Sequence, residues 1–262
     1  MTIVKHELRQ TRISFLVWTA AIAFFLAVCV FIYPDMKGQM EEFGYVFSDM
    51  GTLTTAFGMD RLNFGTLLGF YSIECGNVLG IGGALFASLT GANMLSKEEK
   101  DHTAEFLLSH PCSRTRVVTE KLIALFIELV LMNLIIYAVC VISISAIGEE
   151  IPWTEINLLH LAYLLLQVEL ASLCFGISAF VTQGSAGAGI GIAVMMYFVN
   201  LIANVSESME FLKKVTPFAY CEAADIIESG SLDTELLLIG AAVTVISILA
   251  AYLRYTRKDI HC

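Results

Sequence analysis

The residues most able to do chemistry here are carboxylates and amides placed inside long apolar stretches. They occur as three pairs along the sequence: Glu74 and Asn77, Glu128 and Asn133, and Gln167 and Glu169. An ionised acid at the middle of a membrane costs roughly 2.5–3.5 kcal/mol, so such residues usually face a cavity or a polar partner. Two roles fit them. They line a path for a substrate, proton or cation, or they form hydrogen bonds between helices that fix the packing.

The sequence predicts no catalytic site and no metal site. No Gly-x-x-x-x-Gly-Lys-Ser/Thr motif occurs, so the chain lacks the P-loop by which many ATPases hold nucleotide phosphates. The five histidines are scattered without the spacing of metal ligands. The serine of Gly184-Ser-Ala-Gly187 lies in a glycine-rich turn, but no apolar stretch after it carries a His or Lys to act as its base. We therefore expect that the chain is not an enzyme.

The chain has six long apolar stretches, each long enough to cross a bilayer, and the second, third and fourth contain these polar residues. A transmembrane helix needs about 20 predominantly apolar residues. The chain is 57% hydrophobic and only 15% charged, with a mean hydropathy of +0.74. The sequence predicts an all-α polytopic membrane protein with a single transmembrane domain, residues 1–262, that begins with an interfacial helix at 1–12. The predicted spans are 13–33, 66–93, 117–147, 158–182, 187–205 and 235–254.

The positive charges predict an orientation. Lysine and arginine concentrate before the first span, between the second and third spans, and after the sixth, whereas the opposite segments hold only Lys37, Arg61, Lys213 and Lys214. Cationic segments stay in the cytosol during insertion, so both termini and the second connection are predicted to be cytosolic. Most of the acids behind the net charge of −10 lie in the opposite segments, where they solvate loops or attract a cationic substrate. No basic stripe for nucleic acid occurs outside the membrane flanks.

The most informative cytosolic segment joins the second and third spans. Ser96 and Glu99 have the spacing of a capping box, which predicts a helix from residue 97. Pro111 cannot continue a helix, so this helix is predicted at 97–110, with Phe106 on its apolar edge. Ser113 is then placed to cap the third span. A short helix with exposed apolar residues either packs against the inner ends of the spans or is gripped by another protein.

The residues of this connection resemble those of ABC-2 type transporter permeases, the membrane subunits of ATP-binding-cassette exporters. The resemblance is carried by Glu99, Thr103, Glu105, Leu107, Leu108, Pro111, Ser113, Arg114 and Lys121. Thr216-Pro-Phe-Ala-Tyr220 and the C-terminal tail also look like family members, so the resemblance extends over essentially the whole chain. Only the stretch 99–121 is specific. His102 departs from the pattern, because the family commonly has Gly before the Thr.

The resemblance implies a division of labour between subunits. The helix at 97–110 would be a coupling helix that docks into a groove on a separate ABC ATPase subunit. The residues implied at this contact are Glu98, Glu99, Thr103, Glu105, Phe106, Leu107, Leu108, Pro111, Ser113 and Arg114. ATP and Mg would be bound by that subunit, and this chain would bind no cofactor. Two permease subunits, identical or homologous, would pair in the plasma membrane of a bacterium and move a substrate outward.

A protein of a different class fits the same spans and charges. It is a non-transporting membrane protein, such as an immunity or sensor factor that binds an extracellular peptide. A neighbouring gene for a P-loop ATPase favours the exporter, and its absence favours the sensor. Within the exporter hypothesis, a peptide, an antibiotic, a lipid-like molecule and an ion all remain compatible with the residues.

Overall fold

A computed structural model describes residues 2–48, 52–56, 61–63, 65–100, 113–182 and 186–258, and these residues contain helices and turns but no strand. Six of the helices are long and apolar enough to cross a membrane, as the sequence predicts. The helices are α1 (Thr2–Ser48), α2 (Thr52–Ala56), α3 (Leu67–Asn93), α4 (Lys97–Lys100), α5 (Arg114–Ala146), α6 (Trp153–Ser178), α7 (Ala186–Val205), α8 (Ala223–Ser229) and α9 (Thr234–Arg257). The six spans are α1, α3, α5, α6, α7 and α9, and two 3₁₀ helices, Glu207–Lys214 and Ala219–Cys221, precede α8.

The first helix is longer than the first predicted span. No break separates residues 2–12 from the span that follows, and α1 includes Pro34 and continues to Ser48. This region is therefore one helix, because Pro34 removes a single backbone donor without ending it. The start of α1 is held by another span: the carboxylate of Glu120 accepts hydrogen bonds from the backbone N–H groups of Ile3 (3.0 Å) and Val4 (3.4 Å). These are first-turn donors, which have no partner inside a helix.

The predicted caps have different outcomes at the two ends of the second connection. Ser113 Oγ accepts a hydrogen bond from the backbone N–H of Arg116 at 3.2 Å, which confirms it as the cap of α5. The predicted capping box at Ser96 is wrong. Its hydroxyl donates backward to the carbonyl oxygen of Ala92 at 3.0 Å, and the carboxylate of Glu99 is paired with Lys258. Both side chains of the predicted box therefore have other partners, and the buried Ser96 hydroxyl extends the hydrogen bonding of α3 instead.

Span α6 is the centre of the bundle and packs against α3, α5 and α9. Glycine allows α3 to approach its neighbours closely. A methyl group at Gly91 would overlap the carbonyl oxygen of Ala171 on α6, and one at Gly189 of α7 would lie 2.6 Å from the carbonyl oxygen of Ser88 on α3. Gly187, in contrast, has nothing within 4 Å of such a methyl group in the described part of the chain. The small residues of α3 therefore serve packing inside the chain.

The middle of α3 is a π-helical turn at Gly76–Ile81. Tyr163 of α6 packs over this turn: a methyl group at Gly76 would lie 3.0 Å from its hydroxyl oxygen, and one at Gly80 would lie 3.0 Å from its ring. A π turn is rare inside an α-helix and often marks a functional position. It places the side chains of α3 on either side of the turn in different registers, with Asn77 facing the far end of the bundle.

Replacing Gly91 with Ala tests the close packing of α3 on α6. The added methyl group meets backbone, which cannot rotate away, so we expect a loss of about 1–3 kcal/mol in the free energy of unfolding. Thermal unfolding of the purified protein in detergent measures this loss. The matched control is Gly187→Ala, which makes the same change in an exposed helical glycine with no neighbour and should leave the midpoint unchanged or slightly raised. Equal midpoints for the two variants would contradict the packing described.

Candidate functional site

A cluster of buried ion pairs lies where α1 begins and α9 ends, the face of the bundle called here the terminal side. Its centre is Lys121 of α5, whose side chain has no exposed surface. The ammonium group lies 3.2 Å from Glu7 Oε1, donates to the carbonyl oxygen of Met94 at 2.6 Å, and is paired with the carboxylate of Glu98. These three acceptors match the three donors of an ammonium group. The arrangement therefore satisfies a charge that would otherwise be costly to bury.

Glu7 connects this cluster to a second lysine. Its carboxylate, which is 1% exposed, accepts from both Lys121 and Lys97, and Lys97 also donates to Gln10 Oε1 at 2.8 Å. Lys97 and Glu98 belong to α4, Glu7 to α1 and Lys121 to α5. We call Glu7, Lys97, Glu98 and Lys121 the basal cluster. It joins the beginning of the second connection to two spans at once.

A second set of contacts joins both ends of the same connection to the end of α9. Lys258 Nζ lies 2.8 Å from Glu99 Oε1, and both side chains are nearly buried. The guanidinium of Arg114, at the other end of the connection, donates to the backbone carbonyl of Lys258. Lys258, the residue that follows α9, therefore contacts α4 at the start of the connection and the first turn of α5 at its end.

The structure brings together four of the ten residues predicted at the ATPase contact. Glu98, Glu99, Ser113 and Arg114 lie on the terminal side, around the basal cluster and the end of α9. Thr103, Glu105, Phe106, Leu107, Leu108 and Pro111 lie outside the described residues. The four described residues lie at the two ends of the connection, next to the spans.

Two of the predicted intramembrane residues bind each other. Asn133 of α5 donates from Nδ2 to Gln167 Oε1 of α6 at 2.7 Å and to the carbonyl oxygen of Leu129 at 2.9 Å. Both side chains are buried, and Gln167 also packs against Gly83 of α3. This geometry fits the packing role, in which amides form hydrogen bonds between spans, rather than a path.

Two of the three predicted acids pair with side chains of α1, and the third pairs with the segment that follows α7. Glu128 of α5 accepts a hydrogen bond from the hydroxyl of Thr11 in α1. Glu74 of α3 lies 3.6 Å from the thiol of Cys29 in α1. Glu169 of α6 accepts from the hydroxyl of Tyr220 at 3.0 Å and lies against Gly240 of α9. Each acid therefore has a polar partner on a neighbouring element, as the packing role predicts, and the path role stays a prediction.

Asn77 is different, because it lines a cavity at the opposite end of the bundle, called here the far side. The cavity lies between α3, α6, α7 and the segment that follows α7. Ion pairs mark the same side: Lys37 with Glu149 at 2.7 Å, and Arg61 with Asp225 at 2.5 Å. Asn77, one of the six intramembrane residues predicted from sequence, thus lies at a cavity that other polar side chains also line.

Sequence reasoning missed Glu7 altogether and missed the role of Lys121. A usable signal existed for Glu7, since it is the one acid among the cations of residues 1–12. A single acid within a cationic membrane flank indicates a specific partner, and in the structure that partner is the buried Lys121. Lys121 belongs to the family-like pattern, but a pattern does not identify the partner of a side chain.

The comparisons with known proteins identify the family of the chain. The model of the family described as ABC-2 family transporter protein matches residues 1–260. In the comparison with curated proteins, no sequence matches the chain. A family match over essentially the entire length means that the chain belongs to the ABC-2 family, whose members are the membrane permeases of ABC transporters. It is thus a multi-pass membrane component of a transporter.

Replacing Lys121 with Met tests the basal cluster. The substitution removes the cation and leaves Glu7 and Glu98 buried beside each other, and breaking a buried pair in this way typically costs about 3–5 kcal/mol. We expect a large fall in the thermal unfolding midpoint of the purified protein. The matched control is Lys214→Met, which removes the same charge from an exposed pair with Glu235 on the far side and should change the midpoint little. A Lys121 variant as stable as the control would show that the cluster does not hold the fold.

Proposed function

We propose that this chain is the permease subunit of an ATP-driven exporter in a bacterial plasma membrane. Two such subunits, identical or homologous, enclose the path, and two ABC ATPase subunits bind ATP and Mg and grip the connection at 97–110. Membership of the ABC-2 family supports a transport role. The absence of a P-loop in the sequence supports an energy source on another polypeptide. The single observation that carries the proposal is that both ends of this connection are bound to the spans, by the basal cluster, by the pair of Glu99 with Lys258 and by the contact of Arg114 with Lys258. We call these contacts the clamp.

The contacts of the clamp define how force enters the bundle. Movement of the connection acts directly on α3, from which it continues. It reaches α1 and α5 through the basal cluster, because Glu98 binds Lys121 and Lys97 binds Glu7. It reaches α9 through Glu99 and Lys258. Closure of the ATPase pair therefore moves four spans together, whereas a loosely attached loop would absorb the displacement.

The proposed orientation places the terminal side in the cytosol, where ATP is available. The distribution of lysine and arginine supports it, since the cations concentrate at the termini and in the second connection. The far side then faces outward, together with most of the acids. With this orientation the connection meets an ATPase inside the cell, and the substrate leaves past the cavity at the other end of α3.

Replacing both Phe106 and Leu107 with Asp tests the ATPase contact. Two carboxylates in an apolar groove should abolish co-purification of a P-loop ATPase subunit and reduce transport-dependent ATP hydrolysis by at least tenfold, because burying an unpaired charge costs several kcal/mol. The measurement is purification of the tagged chain from its native membrane, with identification of bound subunits and assay of ATP hydrolysis.

A far-side variant controls for the two added charges. Met209 and Phe211 are both exposed, and replacing them with Asp adds the same charge at the opposite end of the molecule. This control should insert into the membrane, retain the ATPase subunit and hydrolyse ATP normally. Retention of the ATPase by the Phe106 and Leu107 variant would contradict the proposal. A wild-type chain that purifies without any P-loop protein would favour the non-transporting sensor.

A further inference from the structure

The far-side cavity is built from polar and aromatic side chains that reach it from four parts of the fold. Its volume is about 60 Å³. The side chains that give it its chemistry are Asn77, Tyr163, Tyr197, Asn200, Phe218 and Glu222. Since a bound water occupies roughly 10–15 Å³ by this measure, the cavity takes about four to six water-sized centres. That is enough for one end of a ligand and too little for a whole peptide.

Glu222 supplies a carboxylate that no described cation contacts directly. Its Oε2 accepts a hydrogen bond from Asn204 Nδ2 at 3.0 Å, and it forms no ion pair with any residue that the structure describes. Burial raises the pKa of the Glu222 carboxyl above its ordinary value, although the hydrogen bond from Asn204 and the nearby charge of Lys213 lower it in part. A carboxylate in such surroundings is stabilised by any cation that comes within contact distance.

Asn200 points to the same chemistry independently. Its side chain is 6% exposed and lines the cavity, and its Oδ1 atom has no hydrogen-bond partner within the described residues. A buried acceptor without a donor costs about 1–3 kcal/mol unless something donates to it. Asn200 and Asn204 lie four residues apart on one face of α7, so both amides lie on the side of α7 that faces Glu222.

Aromatic rings complete the walls. Tyr197 and Phe218 meet edge to face with ring centroids 5.4 Å apart, and Tyr163 approaches from α6 across the π turn. Aromatic faces attract cations through their quadrupole and also accommodate an alkyl chain. Among the residues that the structure describes, no lysine or arginine lines the cavity. A carboxylate outside any described ion pair and an amide oxygen without a described donor, surrounded by rings, favour a ligand group that donates hydrogen bonds and carries positive charge.

We infer that this cavity binds an alkylammonium group, with Glu222 and Asn200 as its acceptors and the aromatic rings around its alkyl chain. The ligand class is a primary amine at the end of an apolar chain, such as a lysine side chain or an aliphatic amine. The inference that an amine binds here depends only on the structure of the cavity. That the bound amine is part of the exported substrate rests on the proposed function.

Binding of hexylammonium, with hexan-1-ol as the neutral probe of equal chain length, tests the inference. The full chain is placed in phosphatidylcholine nanodiscs without ATPase, and saturation-transfer NMR of each probe is measured against empty nanodiscs. We expect saturable binding of hexylammonium and at least tenfold weaker binding of hexan-1-ol. Glu222→Gln should weaken hexylammonium binding roughly 10- to 100-fold, because a hydrogen bond to a charged group is lost. Asn200→Ala should weaken it roughly 2- to 10-fold.

Glu150→Gln is the matched control, since it removes one exposed far-side carboxylate outside the cavity and should leave binding unchanged. Thermal unfolding of each variant identifies any that has lost its fold, and the isosteric Glu222→Gln retains an acceptor for Asn204. Equal binding of the two probes, or unchanged binding by folded Glu222→Gln, would overturn the inference. The ATPase takes no part in this measurement, so its outcome is separate from that of the coupling variants. Hexylammonium binding by a chain that co-purifies with no P-loop subunit would leave the site standing and remove the exporter.

Discussion

The structure depends on how a lysine is accommodated without any contact with water. Lys121 has no exposed surface, and its three donors are used by Glu7, Glu98 and the carbonyl oxygen of Met94. These acceptors come from α1, from α4 and from the end of α3, so the charge can be satisfied only when the three segments converge on α5. A buried ion pair adds little net stability compared with apolar packing, but it penalises every arrangement that separates its members. The cluster thereby fixes the geometry at the base of the connection between α3 and α5.

The other polar residues inside the bundle form hydrogen bonds between particular helices. Asn133 and Gln167 join α5 to α6, and Glu128 and Thr11 join α5 to α1, so these groups add specificity to helix packing. Glu169 ties α6 to the far-side segment through Tyr220. The π turn of α3 borders the cavity, and the ion pairs of the second connection lie beyond the C-terminal end of the same helix. Under the proposed function, a displacement of the connection would pass along α3 to the residues around the cavity.

Much of the fold could be predicted from local sequence. Apolar length gives the six spans, and Ser113 caps α5 because a helix end depends on its neighbours in sequence. The candidate site was harder to predict from the sequence. Glu7 and Lys121 are far apart in the chain, and no local signal says that they meet. Asn200 and Asn204 show the i, i+4 spacing of a shared face, yet their partner Glu222 lies in a separate segment, among acids that sequence alone assigns to solvated loops. Ser96 shows the opposite error. Its local sequence pattern predicts a capping box, but its hydroxyl binds the Ala92 carbonyl and Glu99 pairs with Lys258, which is distant in the sequence.

The sidedness of the connection between α3 and α5 tests the account most directly, because an ATPase can act on it only from the cytosol. In a variant whose sole cysteine is Cys112, an impermeant maleimide should leave intact cells unlabelled and should label the residue after permeabilisation. A variant whose sole cysteine is introduced by Ser231→Cys, at an exposed far-side position, should be labelled in intact cells. Labelling of Cys112 in intact cells would place the clamp outside and contradict the account.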